Sequence, residues 1–176
     1  MNTDDVWNLI GRARLSTHDP RDAEAVARET VSLLVTYPPE EIAAHAQPFW
    51  DLMAISYRHD LWGAAYLING GASDDGFEYF RGWLIAQGRT TFDTVLDDVD
   101  SLADLPDVMS SAQTGEELEC ESILSAVWNA YRRATGADLP PGTFRVVYPE
   151  LEPGWDFDDD SEMFDRLPRL AELFLT

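Results

Sequence analysis

The side chains best suited to chemistry lie between Tyr57 and Gln87, in YRHDLWGAAYLINGGASDDGFEYFRGWLIAQ. Asp74 and Asp75 are adjacent carboxylates, able to shift each other's pKa as a general acid and base pair, or to hold a hard cation such as Mg²⁺ through oxygen. Arg81 follows a little under two helical turns later and supplies a guanidinium. Asn69 adds an amide beside the double glycine, and Trp62, Tyr66 and Phe77 would line the mouth of a pocket. The same residues have a purely structural reading. Ser73 caps a helix, the two aspartates complement the positive end of its dipole, and the rings fill the contact with the preceding helix. Arg81 then bridges to Asp51, Asp60 or Glu78 as a buried ion pair. The sequence leaves both readings open.

Other catalytic templates fail. If His45 and His59 share a helix they lie about 21 Å apart, too far to share an ion, and no paired cysteine or closely spaced histidine completes a zinc site. The acidic run offers Asp156, Asp158 and Asp160 at the first, third and fifth positions of a calcium loop. It then has Ser161 where glycine is needed and Leu167 where glutamate is needed. There is no Gly-x-Ser-x-Gly, no phosphate-cradling loop and no Gly-x-Gly-x-x-Gly, and Gly70-Gly71 follows a helix rather than a strand. Cys120 falls on the apolar face of a helix, where it reads as a small core residue. No catalytic residue, metal or cofactor is assigned.

The elements that must position the candidate site are helical. Thr3 and Asp19-Pro20 read as the starts of the first two helices, and Pro38-Pro39 separates the second from a third that Pro48 kinks. LWGAAYLI, with Gly63, Ala64 and Ala65 allowing close approach, reads as the central buried helix. Gly70-Gly71 ends it, Ser73 starts the next and Gly88 closes that one. Thr90 caps a further helix, Ser101 to Asp104 is a short turn, and 107–114 reads as a mobile loop. Thr114-x-x-Glu117 is a capping box leading a long amphipathic helix that ends before Gly136. Beyond it, prolines at 140, 141, 149 and 153 exclude long helices, and Phe144–Tyr148 is the one β-like run. The expected fold is all-α, a single multi-helix domain over 1–176. Its helical core spans 1–137, and 138–176 is an extended, proline-rich, acidic segment with a short terminal helix.

Charge bounds the partners. Against 33 acidic residues stand 12 basic ones, a net −21. A field of that sign repels phosphate backbones and argues against direct nucleic-acid binding. No apolar run approaches the roughly 18 residues of a membrane span. The lone cysteine and the lack of a basic-then-apolar leader point to a cytoplasmic protein.

One stretch also carries a resemblance. DLWGAAYLINGGASDDGFEYFRGWLIAQGR, with ECESILSAVWNAYRRATG downstream, is similar to the bacterial family of domains of unknown function numbered 4240, over Asp4 to Ala137. The shared pattern is WxxAYLINGG followed by SDDGFxxFRxWLI. Members often carry cysteine where this chain has Ala72, so the resemblance implies that any thiol chemistry at that position is absent here. It implies a helical fold and the importance of Trp62–Leu84, and it assigns no activity.

These readings lead to three functional expectations. The first is a non-enzymatic regulatory or immunity-type module that binds a basic protein through its acidic surface. The second is an enzyme or small-molecule binder at the Gly70–Arg81 turn, with or without a divalent cation. The third is a nucleic-acid mimic. Neither partner nor oligomeric state is specified by the sequence.

Overall fold

Asn2, rather than Thr3, opens the first helix. Its side chain accepts from the Asp5 N–H at 3.2 Å and its own N–H donates to the Asp5 carboxylate at 2.8 Å, a reciprocal cap for α1 (Thr3–Ser16). The second helix, α2 (Ala23–Leu34), begins after Asp22 rather than Asp19. The Asp19 carboxylate is engaged by the N–H of Arg21, while Asp22 accepts from Ala25. Pro48 breaks the next segment into α3 (Pro39–Ala44) and α4 (Ala46–Ile55). Its ring excludes the carbonyl of Ala44, four residues back, so the helix parts at His45.

The computed structural model describes every residue, Met1–Thr176, and contains helices and connecting segments with no strand. After α4 come α5 (His59–Ile68), α6 (Asp74–Ala86), α7 (Arg89–Asp97) and a 3-10 turn at Val99–Asp104. Gly70 and Gly71 lie at φ +66° and +133°, which allows the chain to reverse between α5 and α6. The N-cap of α7 is Gly88 at φ +89°, not Thr90.

Three expectations are overturned. The predicted mobile loop at 107–114 is α8 (Pro106–Thr114), begun by proline at its first position and held by buried Val108 and Ser111. The expected capping box at Thr114 does not form. The threonine hydroxyl donates back to Ser110, and Gly115 at φ +71° ends α8. The long helix expected behind it is divided into α9 (Glu121–Leu124) and α10 (Ala126–Thr135), preceded by a non-helical stretch from Glu116 to Cys120. Leu118 and Cys120 are buried while Glu117 and Glu119 are exposed, a period of two that suits an extended chain.

The segment 138–176 also differs from its predicted form. It ends in two helices, α11 (Asp160–Arg166) and α12 (Pro168–Phe174), and Met163, Leu167, Leu170 and Ala171 enter the same core as Val6 and Phe80. The carboxylate of buried Asp100 accepts from the N–H groups of Arg169 and Leu170, each at 3.0 Å. It thereby caps α12 across the fold. At the centre is α6, where every residue from Phe80 to Ala86 is buried, as is Phe77. Burial pushes the Cys120 thiol up to about 12, which keeps it protonated and inert. No helix is long and apolar enough to cross a membrane.

Candidate functional site

The fold disperses the seven residues singled out by sequence. Ser73 accepts from the Gly76 N–H at 3.2 Å and so starts α6, leaving Asp74 and Asp75 exposed in its first turn. Asn69 grips a distant strand-like segment. Its amide oxygen accepts from the Leu118 N–H at 2.9 Å, and its Nδ2 donates to the Leu118 carbonyl at 3.4 Å. Trp62 donates to the Ala72 carbonyl at 3.0 Å and stacks on Phe77 with centroids 4.8 Å apart. Tyr66 donates to the Asp158 carboxylate, and that hydrogen bond raises its phenol pKa.

Arg81 is 1% exposed and takes part in no ion pair within 4.0 Å, so the expected bridge to Asp51, Asp60 or Glu78 is absent. Its Nη1 donates to the Met53 carbonyl at 2.5 Å and its Nε to that of Phe77 at 3.3 Å. The guanidinium lies 4.7 Å from the ring centroids of Phe77 and Tyr148 and 5.1 Å from that of Tyr57. Carbonyl dipoles and ring faces therefore balance the charge. The structure brings Trp62, Phe77 and Arg81 together and leaves the aspartates outside the cage.

Asp74→Asn combined with Asp75→Asn is expected to lower the unfolding free energy by about 1 kcal/mol, an effect that fades with added salt. Chemical denaturation at two ionic strengths measures it. Unchanged stability together with lost Mg²⁺ binding would instead make the pair a ligand site.

A second cleft, of about 360 Å³, opens beside His59 and is bordered by Arg58, Asp60, Glu150, Glu152 and Arg166. The chain from Tyr148 to Phe157 covers it. Tyr148 stacks on Tyr57 with centroids 4.5 Å apart, and Trp155 and Phe157 pack on His59 at 4.9 and 4.6 Å. Two glycines admit this cover. A Cβ on Gly154 would fall 1.9 Å from the His59 ring, and one on Gly63 would fall 2.7 Å from Trp155. His59 Nδ1 and the Tyr148 hydroxyl are buried beneath the cover without a partner. Burial lowers the His59 pKa, partly offset by Asp60. No serine, threonine or cysteine lines this cleft, so no hydroxyl or thiol side chain pairs with His59 there.

A third groove, of about 320 Å³, was not anticipated from sequence. Its walls are the start of α2, α8 and the non-helical stretch 116–119, and its base includes Trp83. Asp19, Asp22, Glu24, Asp107, Glu116, Glu117 and Glu119 line it, and Arg21 is its one lining cation. Arg21 approaches Asp19 at 3.5 Å and Asp107 at 3.3 Å. Burial raises the pKa of Asp107, with Arg21 opposing, and raises that of Glu119, with Glu117 and Glu121 adding repulsion. No group of three or more His, Cys, Asp or Glu is disposed to hold a metal ion. The carboxylates are spread along the groove, which suits several separate cationic side chains rather than one ion. The alternation in Glu117-Leu118-Glu119-Cys120 was the sequence signal for its third wall.

The family comparison agrees with the resemblance seen in the sequence. The model described as protein of unknown function (DUF4240) matches residues 1–133, which include α1 to α9, nearly all of α10, the acidic groove, and Arg81 with Tyr57 and Phe77 of its cage but not Tyr148. The cover over His59 and the helices α11 and α12 lie outside the match. No curated protein and no solved structure matches the chain. With three quarters of its length matched, the chain belongs to the DUF4240 family.

Proposed function

We propose that this protein is a non-enzymatic, protein-binding module of regulatory or immunity type, acting in the cytoplasm, that takes a basic segment of a partner into the groove between α2, α8 and residues 116–119. The observation that carries the reading is the set of seven carboxylates around one groove with a single lining arginine against them. Two of those carboxylates are raised by burial, so they are held at a cost that a cationic partner relieves. The net −21 of the chain steers a basic partner toward it over a longer range.

The test is titration of the full chain with a lysine-rich peptide. Affinity is expected to fall steeply with salt and to weaken about thirtyfold in Glu117→Gln with Glu119→Gln, since each of the two removed charge contacts is worth of order 1 kcal/mol in a partly buried site. The Asp74→Asn, Asp75→Asn chain removes the same charge elsewhere and should bind as the parent does. The pH dependence has a definite sign. A bound cation pulls the raised pKa values of Asp107 and Glu119 down, so binding releases protons and strengthens as pH rises through the carboxylate range. Equal weakening by both double variants, or affinity insensitive to salt, would remove the groove from consideration.

A further inference from the structure

All twelve cationic side chains of this chain are arginines. Eight donate a guanidinium hydrogen bond within the molecule, to carboxylates, backbone carbonyls or the Tyr37 hydroxyl. The other four are Arg28, Arg132, Arg133 and Arg145. Three of those four line one groove, of about 600 Å³, between α2 and α10. Arg28 and Ser32 stand one turn apart on α2, and Asn129 and Arg133 one turn apart on α10, with Arg132 beside them.

Arg132 and Arg133 complement the C-terminal end of α10, and the Arg132 guanidinium lies 5.0 Å from the Trp128 ring centroid, but neither feature brings Arg28 of α2 to the same groove. Arg28 approaches Asp22 and Arg132 approaches Asp138 only at 3.9 Å, while Arg133 has no carboxylate within 4.0 Å. In a chain with 33 acidic residues, three like charges share a groove without close counter-ions. Their mutual repulsion is relieved by an anion, and the planar fork of arginine matches the oxygens of phosphate in pairs.

The overall charge selects the size of that anion. Beyond a screening length of about 8 Å the field is that of a strongly acidic protein. A nucleic acid or a long acidic peptide would carry its remaining charges over that repulsive surface. A compact ligand keeps all of its charge within reach of the three guanidinium groups. We propose that the α2–α10 groove binds a small phosphorylated molecule, its phosphoryl oxygens taken by Arg28, Arg132 and Arg133 and its remainder lying along Ser32 and Asn129. This site shares no lining residue with the acidic groove and does not depend on it.

Inorganic pyrophosphate is the probe, titrated calorimetrically into the full chain in phosphate-free buffer without divalent cations. Saturable binding is expected. Arg28→Gln and Arg133→Gln should each weaken it by about tenfold, the effect of losing a charge-assisted contact. Arg145→Gln, which removes the same charge outside the groove, should leave it unchanged. These arginines are exposed, and circular dichroism checks that each variant is folded. Should a glutamine variant misfold, Arg133→Lys takes its place, keeping the charge but losing the fork, and is expected to weaken binding measurably. Absence of saturation at millimolar pyrophosphate, or equal weakening by Arg145→Gln, would overturn the proposal. So would tighter binding of a glutamate-rich peptide than of pyrophosphate, which would assign the groove to an acidic protein segment.

Discussion

Arg81→Ala is expected to lower the unfolding free energy by about 3–5 kcal/mol, one of the two largest effects of any single substitution considered for this chain. The guanidinium is packed among Tyr57, Phe77 and Tyr148 and bonded to two helix carbonyls. Alanine removes the filling atoms of that cage and a desolvated cation–π contact worth about 2 kcal/mol. The Met53 carbonyl keeps a share of the Ser56 hydroxyl, which lies 3.2 Å from it and 2.9 Å from the Leu52 carbonyl. The cost is therefore mainly a cavity and lost ring contacts. Arg81→Met, which refills the volume without a charge, should then cost less than about 2 kcal/mol, since a well-packed apolar side chain often replaces a buried ion at little loss. Urea denaturation of both variants, with the slope checked for constancy, gives the comparison. If the alanine variant unfolds at the parent's midpoint, Arg81 has no structural role and returns as a ligand-binding candidate.

Gly82→Ala is expected to destabilise the protein by about 1–3 kcal/mol, against the usual helix preference, in which alanine exceeds glycine by about 0.5–1 kcal/mol. A Cβ at Gly82 would lie 2.5 Å from the Cys120 carbonyl oxygen and 2.9 Å from Ile123 Cγ2. That carbonyl cannot easily retreat. The Cys120 N–H is bonded to the Tyr79 carbonyl at 3.0 Å, and Leu118 is gripped on both sides by Asn69. Gly11, inside α1, provides the opposite case, since a Cβ there meets nothing within 4 Å. Gly11→Ala should stabilise by about 0.5–1 kcal/mol. Thermal unfolding of the two variants should move in opposite directions. A shift of the same sign in both would show that the close approach of α6 to residues 118–123 is not what demands glycine.

The same close approach explains where the acidic groove comes from. Residues 116–119 can form its third wall only because Gly82 lets the chain at Cys120 lie against α6 and Asn69 holds Leu118. Stability at Gly82 and the partner binding proposed for Glu117 and Glu119 are thus linked through one short segment. A destabilised Gly82 variant is expected to bind the basic peptide less tightly as well.

By itself the sequence determined the helical class, the α5–turn–α6 unit and the family. Those depend on local rules: apolar spacing near 3.6, glycines at positive φ and Ser73 bonding to an N–H three residues on. It also grouped Trp62, Tyr66, Asn69, Asp74, Asp75, Phe77 and Arg81, because two helices joined by a tight turn must pack on each other, but which of the seven meet was left to packing. Tertiary structure decided the rest. Pattern reading made 107–114 a loop and ran one helix from Thr114, because Thr-x-x-Glu is also the signature of a cap. Gly115 at positive φ ends α8 instead, a local stop with its N–H on Ser111, and the Cys120 N–H is held by Tyr79 of α6, a partner no local pattern shows. The tail was expected to be extended apart from one short terminal helix, because its prolines exclude long helices. Two short helices evade that limit, and Asp100, some seventy residues away, caps the second. Arg81 found carbonyls and rings rather than a carboxylate, for the geometry of its burial could not be read from charge alone. The assembly of the two grooves is likewise invisible in the sequence, which marks only the alternation at 117–120 in one wall. Each is made by side chains from separate elements, and only packing fixes which surfaces face each other.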